Sequence, residues 1–167
     1  TMWMLHFLNH LDEEGTAGFV MATGELSNSE TARLEVRKAL VEGGYVDCIV
    51  QLSGQLFANT QIPCTLWFLS KNRDGRSGYR RRMDEILFID GRKLGALIPG
   101  SRKQKELSEA EIEQVASVYR QFKCVQAPEA VPGFYRVAIL DEVREHRYAI
   151  TPGRFVGSEA LDDDGEL

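Results

Sequence analysis

Two apolar runs joined by a polar connection, within residues 45–70, constrain the fold of this chain more than any other feature. Tyr45–Leu52 is short and rich in β-branched residues, and Cys64–Leu69 is a second apolar run that contains two aromatic residues. Between them, Ser53–Pro63 is rich in Gly, Asn, Thr, Gln and Pro, which favour turns and loops. An apolar run without alternation predicts a strand buried on both faces, in a sheet covered by helices. We therefore expect an α/β fold.

The connection Ser53–Pro63 is longer than a tight hairpin needs. It carries one large apolar residue, Phe57, among small polar ones. Loops that leave the edge of a sheet often carry binding or catalytic residues, because a rigid scaffold positions them there. The connection is therefore the first candidate for a functional segment.

Two capping-box spacings predict where helices begin. Ser27 with Glu30, and Ser108 with Glu111, have the spacing at which each side chain satisfies a free backbone N–H of the other residue. The second pair precedes apolar residues at helical spacing, which predict a helix over residues 109–123.

The order of the predicted elements indicates the topology. A helix separates the strand candidate at residues 17–22 from Tyr45–Leu52, and this arrangement predicts parallel pairing through a right-handed crossover. The runs Tyr45–Leu52 and Cys64–Leu69 are joined by a loop and should be antiparallel. Residues 86–90 and 134–140 are further strand candidates.

Basic residues concentrate in the middle of the chain, in residues 71–105. Between Lys71 and Lys105 there are 11 Lys and Arg residues against four Asp and Glu residues, although the whole chain has a net charge of −5. Two interpretations remain open for this stretch: a solvated loop, or a contact with the phosphate backbone of a nucleic acid.

The motifs of several site classes are missing from the sequence. There is no Gly-rich phosphate loop, and no Ser/His/Asp or Cys/His arrangement stands out. His6 and His10 have a spacing that zinc sites use, but no third ligand is in view, so we expect surface residues. No apolar run reaches the roughly 18 residues of a membrane helix. Three cysteines without a CxxC motif favour reduced thiols in a cytoplasmic protein.

Four stretches resemble the modification (methyltransferase) subunit of type I restriction-modification systems, an adenine-N6 DNA methyltransferase. They are Gly18–Leu26 (GFVMATGEL), Leu56–Asn72 (LFANTQIPCTLWFLSKN), Glu85–Leu94 (EILFIDGRKL) and Tyr148–Gly157 (YAITPGRFVG). The stretches span nearly the whole chain and occur in the order found in the family. The second is similar to the family's characteristic hairpin, and the fourth to its closing signature.

The resemblance implies S-adenosylmethionine as the cofactor of the parent enzyme. The family's Gly-containing cofactor loop and its Asn-Pro-Pro-aromatic catalytic motif are missing here, since no two prolines are adjacent. Both elements precede this region in the family. The chain is therefore expected to be the C-terminal part of a Rossmann-like methyltransferase sheet, inactive alone, with no catalytic, cofactor-binding or metal-binding residues of its own.

The same resemblance implies how the chain is divided. Residues 1–105 would form the C-terminal half of the α/β domain, which ends in an antiparallel hairpin. Residues 106–167 would form a small helical and irregular extension that leads toward the region docking on the specificity subunit.

The resemblance also implies roles for individual residues. The family places the hairpin loop on the side of the target base, so Phe57 either stacks on a flipped adenine or plugs the core at the base of the loop. Asn59 and Thr60 either fix the loop or contact DNA. The candidates for contacts with DNA phosphate are Arg80, Arg81 and Arg82.

The expected partners follow from the family. They are DNA and the specificity and restriction subunits of a type I complex, with no membrane involved. The strand at residues 19–21 would expose an open edge and favour self-association. The alternative is a non-catalytic module that binds DNA or a protein.

Overall fold

The computed structural model describes residues 2–157. The helices in this range are α1 (Met2–His10), α2 (Thr31–Glu42), α3 (Glu109–Cys124) and α4 (Leu140–Glu145), with 3-10 turns at Thr23–Leu26 and Pro152–Arg154. The strands are β1 (Thr16–Ala22), β2 (Val46–Leu52), β3 (Cys64–Ser70), β4 (Glu85–Gly91), β5 (Ala96–Leu97), β6 (Lys105–Glu106) and β7 (Tyr135–Ile139). None of the described helices is long and apolar enough to cross a lipid bilayer.

Five strands form one mixed sheet in the order β1-β3-β2-β4-β7. β2 is parallel to β4, whereas the other neighbouring strands are antiparallel. The predicted pairing of β1 with β2 is wrong: the two strands run in the same direction, but β3 folds back from β2 and lies between them. Trp67 of β3 accordingly pairs with Phe19 on one side and Ile49 on the other. The α/β class and the antiparallel hairpin are confirmed.

Side chains on the two faces of the sheet form two apolar cores. One face packs against α1, α2 and α4, with Ile49 and Trp67 among its buried residues. The other face packs against α3 through Val118 and Phe122. Successive residues of β2 enter different cores, such as Ile49 and Val50, so all seven residues of this strand are buried. This confirms the strand that the unbroken apolar run predicted.

The first helix covers one face of the sheet through its apolar residues. Met4 is buried, and the ring of Phe7 lies 4.9 Å from the ring of Phe19, centroid to centroid. His6 and His10 are exposed, as expected for surface residues of this helix.

The two predicted capping boxes have different outcomes. The box at Ser108 is confirmed: its hydroxyl accepts from the N–H of Glu111 at 3.2 Å, and its own N–H donates to the Glu111 carboxylate at 2.8 Å. The box at Ser27 is wrong, because α2 begins only at residue 31. The N–H of Glu30 donates instead to the side-chain oxygen of Asn28 at 2.8 Å.

Helix α2 buries an arginine against the segment that precedes this helix and the segment that follows α4. Arg37 is 3% exposed. Its guanidinium donates to the carbonyl oxygens of Tyr148 at 2.6 Å, Glu25 at 3.0 Å and Asn28 at 3.0 Å. Burial lowers the pKa of Arg37, and the three carbonyl oxygens compensate for the water that the group loses.

The residues after 106 pack against the five-stranded sheet and extend it by one strand. Helix α3 covers one of its faces, and β7 adds the fifth strand. In the closing stretch, the ring of Phe155 stacks on Phe88 of β4 with centroids 4.0 Å apart. The part of the predicted extension at residues 158–167 lies outside the described residues.

Candidate nucleic-acid interface

Three strands that run in the same direction, β1, β2 and β4, end at one edge of the sheet, which we name the carboxyl edge. Their last residues are Ala22, Leu52 and Gly91, and β3 begins beside them at Cys64. The segment Ser53–Pro63 and the segment that contains β5 and β6 both leave this edge. Ligands of open α/β sheets bind in the loops beyond the carboxyl ends of the strands. This edge is therefore where a binding site is expected.

Residues 53–63 form a loop whose two ends approach closely; we name it the Phe57 loop. A Cβ atom on Gly54 would lie 2.3 Å from the carbonyl oxygen of Gln61, so only glycine fits at that position. At the tip, Phe57 and Thr60 form an antiparallel bridge, and the Thr60 hydroxyl accepts from the N–H of Ile62 at 3.2 Å. These contacts give the loop a defined shape.

The ring of Phe57 lies at the surface. Phe57 is 44% exposed and belongs to neither core. The preceding residue, Leu56, packs against the α3 core instead. The interpretation of Phe57 as a core plug is therefore wrong, because Leu56 occupies that position. Asn59 and Thr60 are exposed on the same loop.

A second element supports the Phe57 loop at the carboxyl edge. Strands β5 and β6 form a two-stranded hairpin, residues 96–106, that follows β4. The N–H of Lys105 donates to the carbonyl oxygen of Gln55 at 2.8 Å, and the Ser53 hydroxyl donates to the carbonyl oxygen of Leu94 at 3.0 Å. The loop and the hairpin therefore form one continuous surface.

The Arg-rich segment Lys71–Asp84 lies at the opposite edge of the sheet, which we name the amino edge. It connects the end of β3 at Ser70 to the start of β4 at Glu85. Both strands have seven residues, and a strand of that length spans roughly 20 Å. The structure therefore does not bring Phe57 and the predicted phosphate-binding arginines together.

The structure contradicts the predicted phosphate contact of Arg82. This residue is 1% exposed. Its guanidinium donates to both carboxylate oxygens of Asp47, at 2.7 and 3.0 Å, and to the carbonyl oxygens of Asn72 and Arg80. The side chain points into the protein because the carboxylate it neutralises lies on a fully buried strand, β2.

Asp47 is the centre of a buried polar cluster. Arg73, 2% exposed, donates to the Asp47 carboxylate at 3.1 Å, and the Tyr119 hydroxyl donates to it at 2.7 Å. Desolvation lowers the pKa of Arg73, which the negative charge of Asp47 opposes. Desolvation and the same carboxylate raise the pKa of Tyr119, so the phenol remains a hydrogen-bond donor. The cluster joins β2, α3 and the amino-edge segment.

The other two predicted arginines differ in accessibility. The side chain of Arg80 is 19% exposed, pairs with Glu85 at 2.5 Å and donates to the carbonyl oxygen of Phe122 at 3.0 Å. The side chain of Arg81 is 64% exposed and lies 3.3 Å from the carboxylate of Asp84. Of the three, Arg81 alone presents most of its side chain to solvent.

One sequence signal could have identified the buried role of the arginines. Asp47 is the single charged residue within the apolar strand β2. A carboxylate at such a position needs a charged or hydrogen-bonding partner, because burying it unpaired is costly. A cluster of arginines close in sequence supplies that partner.

Fold and site define a class of protein: an α/β domain whose antiparallel strand β3 is inserted between two strands of the opposite direction, with an exposed aromatic loop at its carboxyl edge. Residues 1–164 match the family model described as N-6 DNA Methylase. The chain belongs to this family.

Similar proteins agree with that assignment. The methylase subunit of the type I restriction enzyme HindI from Haemophilus influenzae is 32% identical over 163 residues, which cover 98% of this chain and 35% of that protein. The methylase subunit of MjaIX from Methanocaldococcus jannaschii is 38% identical over 167 residues, covering 98% of this chain and 28% of that protein. The chain thus spans about a third of the length of these relatives.

A solved structure has the same fold. The methyltransferase subunit of a type I restriction-modification system from Streptococcus thermophilus superposes with a TM-score of 0.79 at 28% identity. The match covers 95% of this chain and 30% of that one. The predicted resemblance to the methyltransferase subunits of type I systems is confirmed.

Proposed function

We propose that this chain is part of an adenine-N6 DNA methyltransferase subunit of a type I restriction-modification enzyme, and that it forms the target-base side of the DNA site. Membership of the N-6 DNA methylase family supports the chemistry. The observation that carries the proposal is the exposed ring of Phe57 on a loop held at the carboxyl edge of the sheet.

The reaction requires an unstacked base. The amino group of adenine is paired and stacked inside a duplex, so the enzyme must extrude the nucleotide before a methyl group can reach it. An aromatic side chain that stacks on such a base contributes about 1–3 kcal/mol. Phe57 takes this role, and Asn59 and Thr60 contact the DNA backbone beside it.

S-adenosylmethionine supplies the methyl group in this proposal, and parts of the subunit outside this chain hold it. A cleft of about 340 Å³ lies between α3 and the sheet, but its walls are apolar side chains such as Val50, Leu66 and Phe68. Two charged residues line the cleft, but both already have partners. The Glu111 carboxylate accepts a hydrogen bond from the N–H of Ser108, and Arg120 forms an ion pair with Glu113 of the same helix. A cofactor with ammonium, carboxylate and ribose groups needs polar partners. The residues that line this cleft do not fit it.

The proposal extends to the assembly. The two relatives named above are methylase subunits of type I restriction enzymes, which supports DNA, a specificity subunit and a restriction subunit as partners. Since the substrate is DNA, the cytoplasm is the expected location.

The test replaces Phe57 in the complete methyltransferase with its partner subunits. Phe57→Ala removes the stacking surface, and we expect kcat/KM for DNA methylation to fall roughly 5- to 150-fold, which corresponds to about 1–3 kcal/mol. Methylation is measured by transfer of a labelled methyl group to duplex DNA, and cofactor binding by calorimetry.

The matched control is Ile62→Ala, which removes another apolar side chain, 62% exposed, from the same loop. This control should methylate DNA at nearly the wild-type rate, and both variants should bind S-adenosylmethionine normally. Wild-type methylation by the Phe57→Ala enzyme would contradict the stacking role.

A further inference from the structure

We propose that the tip of the β5–β6 hairpin, residues 99–103, contacts DNA phosphate groups beside the Phe57 loop through Arg102 and Lys103. This inference rests on the proposed function, because it names the element that holds the DNA backbone at the same site. The basic stretch of residues 71–105 includes both residues, but no motif singled them out, since they lie in a part of it without helical or strand periodicity.

Position is the first argument. The hairpin follows β4 and therefore begins at the carboxyl edge, the same edge from which the Phe57 loop leaves β2. The N–H of Lys105 donates to the carbonyl oxygen of Gln55, and the Ser53 hydroxyl donates to the carbonyl oxygen of Leu94, just before the hairpin. A strand of DNA whose base lies against Phe57 would pass next to the hairpin.

Charge is the second argument. Residues 91–105 contain five Lys and Arg residues and no Asp or Glu. Arg92 is engaged by Asp90 at 2.6 Å, whereas Arg102 and Lys103 are exposed and have no ion pair with any residue in the range 2–157. Cations without carboxylate partners are the groups that release counterions when they neutralise phosphates.

The amino edge shows the opposite arrangement, although it is also rich in basic residues. Each Lys and Arg of residues 71–85 lies within 3.5 Å of a carboxylate oxygen. The pairs are Lys71–Glu13, Arg73–Asp47, Arg76–Asp74, Arg80–Glu85, Arg81–Asp84 and Arg82–Asp47. The unpaired positive charge of the basic stretch therefore lies at the hairpin and not at the Arg-rich segment.

The geometry of the turn is the third argument. Pro99 and Gly100 occupy its centre, Gly100 has φ +82°, and the N–H of Ser101 donates to the carbonyl oxygen of Ile98 at 2.8 Å. These are the features of a type II turn, which needs glycine at its third position. The Ser101 hydroxyl then accepts from the N–H groups of Lys103 at 3.2 Å and Gln104 at 3.0 Å. The turn thus presents Arg102 and Lys103 from a fixed backbone, which lowers the entropic cost of binding.

The contacts proposed here position the duplex and do not read its sequence. Lys and Arg side chains that bind phosphate fix the register of a protein on DNA, whereas sequence is read at the base edges. An anchored backbone next to Phe57 would keep the flipped nucleotide in place during methyl transfer.

The experiment measures the salt dependence of DNA binding by the complete methyltransferase with its partner subunits. The dissociation constant is determined by fluorescence anisotropy on a duplex target between roughly 50 and 200 mM KCl. For the double variant Arg102→Gln/Lys103→Gln, the slope of log Kd against log[KCl] should fall by about 2, since each phosphate contact contributes about 0.9.

The matched control removes two charges from the other edge. Arg80→Gln/Arg81→Gln should leave the slope unchanged, and the charge-preserving variant Arg102→Lys/Lys103→Arg should retain the wild-type slope. An unchanged slope for Arg102→Gln/Lys103→Gln overturns the inference. An equal decrease of the slope for both neutralised pairs also overturns the inference, because that result indicates a general effect of the protein's positive charge and not a local contact with phosphate.

Two further readouts complete the test. If the double variant shows no cooperative thermal unfolding and is therefore not folded, the single variants Arg102→Gln and Lys103→Gln test the inference instead. Each should lower the slope by about 1. Methylation by the wild-type enzyme separates the two proposals. A wild-type enzyme that does not methylate adenine contradicts the proposed function, whereas an active wild type with a neutral hairpin variant of unchanged slope contradicts the hairpin contact alone.

Discussion

Asp47 connects three parts of the fold through one buried carboxylate. It accepts hydrogen bonds from Arg73 and Arg82, both from the segment between β3 and β4, and from Tyr119 of α3. Removing a carboxylate from water costs several kcal/mol, and the pairing offsets this cost only when the hydrogen bonds are nearly complete. The two guanidinium groups are in turn fixed by backbone carbonyl oxygens, including those of Gly44 and Asn72.

Neutralising this carboxylate should be strongly destabilising. Asp47→Asn leaves two buried guanidinium groups without their counter-charge, and we expect the free energy of unfolding of the purified chain to fall by about 3–5 kcal/mol. Urea denaturation followed by tryptophan fluorescence measures it. The control Asp84→Asn breaks an exposed pair with Arg81 and should cost at most about 1 kcal/mol. Equal losses for the two variants would contradict a special role of the buried cluster.

At the scale of elements, an acidic residue joins the end of α2 to α4 and the segment after it. The Glu42 carboxylate accepts from the guanidinium of Arg144 at 2.7 and 2.8 Å and from the hydroxyl of Tyr148 at 2.5 Å. The hydrogen bonds from Arg144, followed by that from Tyr148, lower the pKa of Glu42 from 4.5 to about 2. Folding therefore favours the ionised form of the Glu42 side chain over its protonated form.

This lowered pKa predicts a pH dependence of stability. Because the folded pKa is below the unfolded value, the contact stabilises the fold fully above pH 4.5 and loses its contribution as the pH falls toward about 2. The free energy of unfolding should decrease across this window, and it should decrease less in Glu42→Gln. Denaturation curves recorded at several pH values measure the difference. Identical pH profiles for the variant and the wild type would refute the linkage.

Local signals in the sequence predicted the helices and strands better than they predicted which strands pair with each other. Ser108 and Ser27 have the same capping-box spacing, but only Ser108 starts a helix, because Asn28 supplies a competing turn hydrogen bond to Glu30. The apolar run of β2 predicted a buried strand correctly. The neighbour of β1 could not be predicted, since it depends on which edge of β2 the returning strand β3 pairs with, and no local pattern encodes that choice.

At the scale of the whole molecule, strand β4 explains why the sequence placed the basic residues of the proposed DNA-binding surface only in part. Residues 71–105 form a single basic stretch in sequence, yet β4 carries the chain across the sheet in the middle of it, over roughly 20 Å. The arginines before β4 therefore lie at the amino edge and the cations after it at the carboxyl edge. Counting charge along the sequence cannot separate these groups. The Phe57 loop was found because its composition contrasts with both flanking strands.

The outer edge of the sheet leads to the last prediction. Among the described residues, β1 pairs only with β3, so its other side presents unpaired N–H and C=O groups along seven residues. Val20, 49% exposed on this strand, adds apolar surface. Such an edge is a template for pairing with a second chain. We therefore expect the purified chain to self-associate with increasing concentration in sedimentation or size-exclusion experiments.

A charged residue on the edge strand should reduce this association, because a lysine there would have to be desolvated when a second strand pairs with β1. Val20→Lys should therefore shift the chain toward the monomer. Val131→Lys, at a position that is 41% exposed and bridged to Tyr135 of β7 at the opposite end of the sheet, should associate like the wild type. Association that both lysine variants reduce equally would indicate a general effect of charge, and a wild-type chain that stays monomeric at high concentration would show that the edge of β1 does not pair at all.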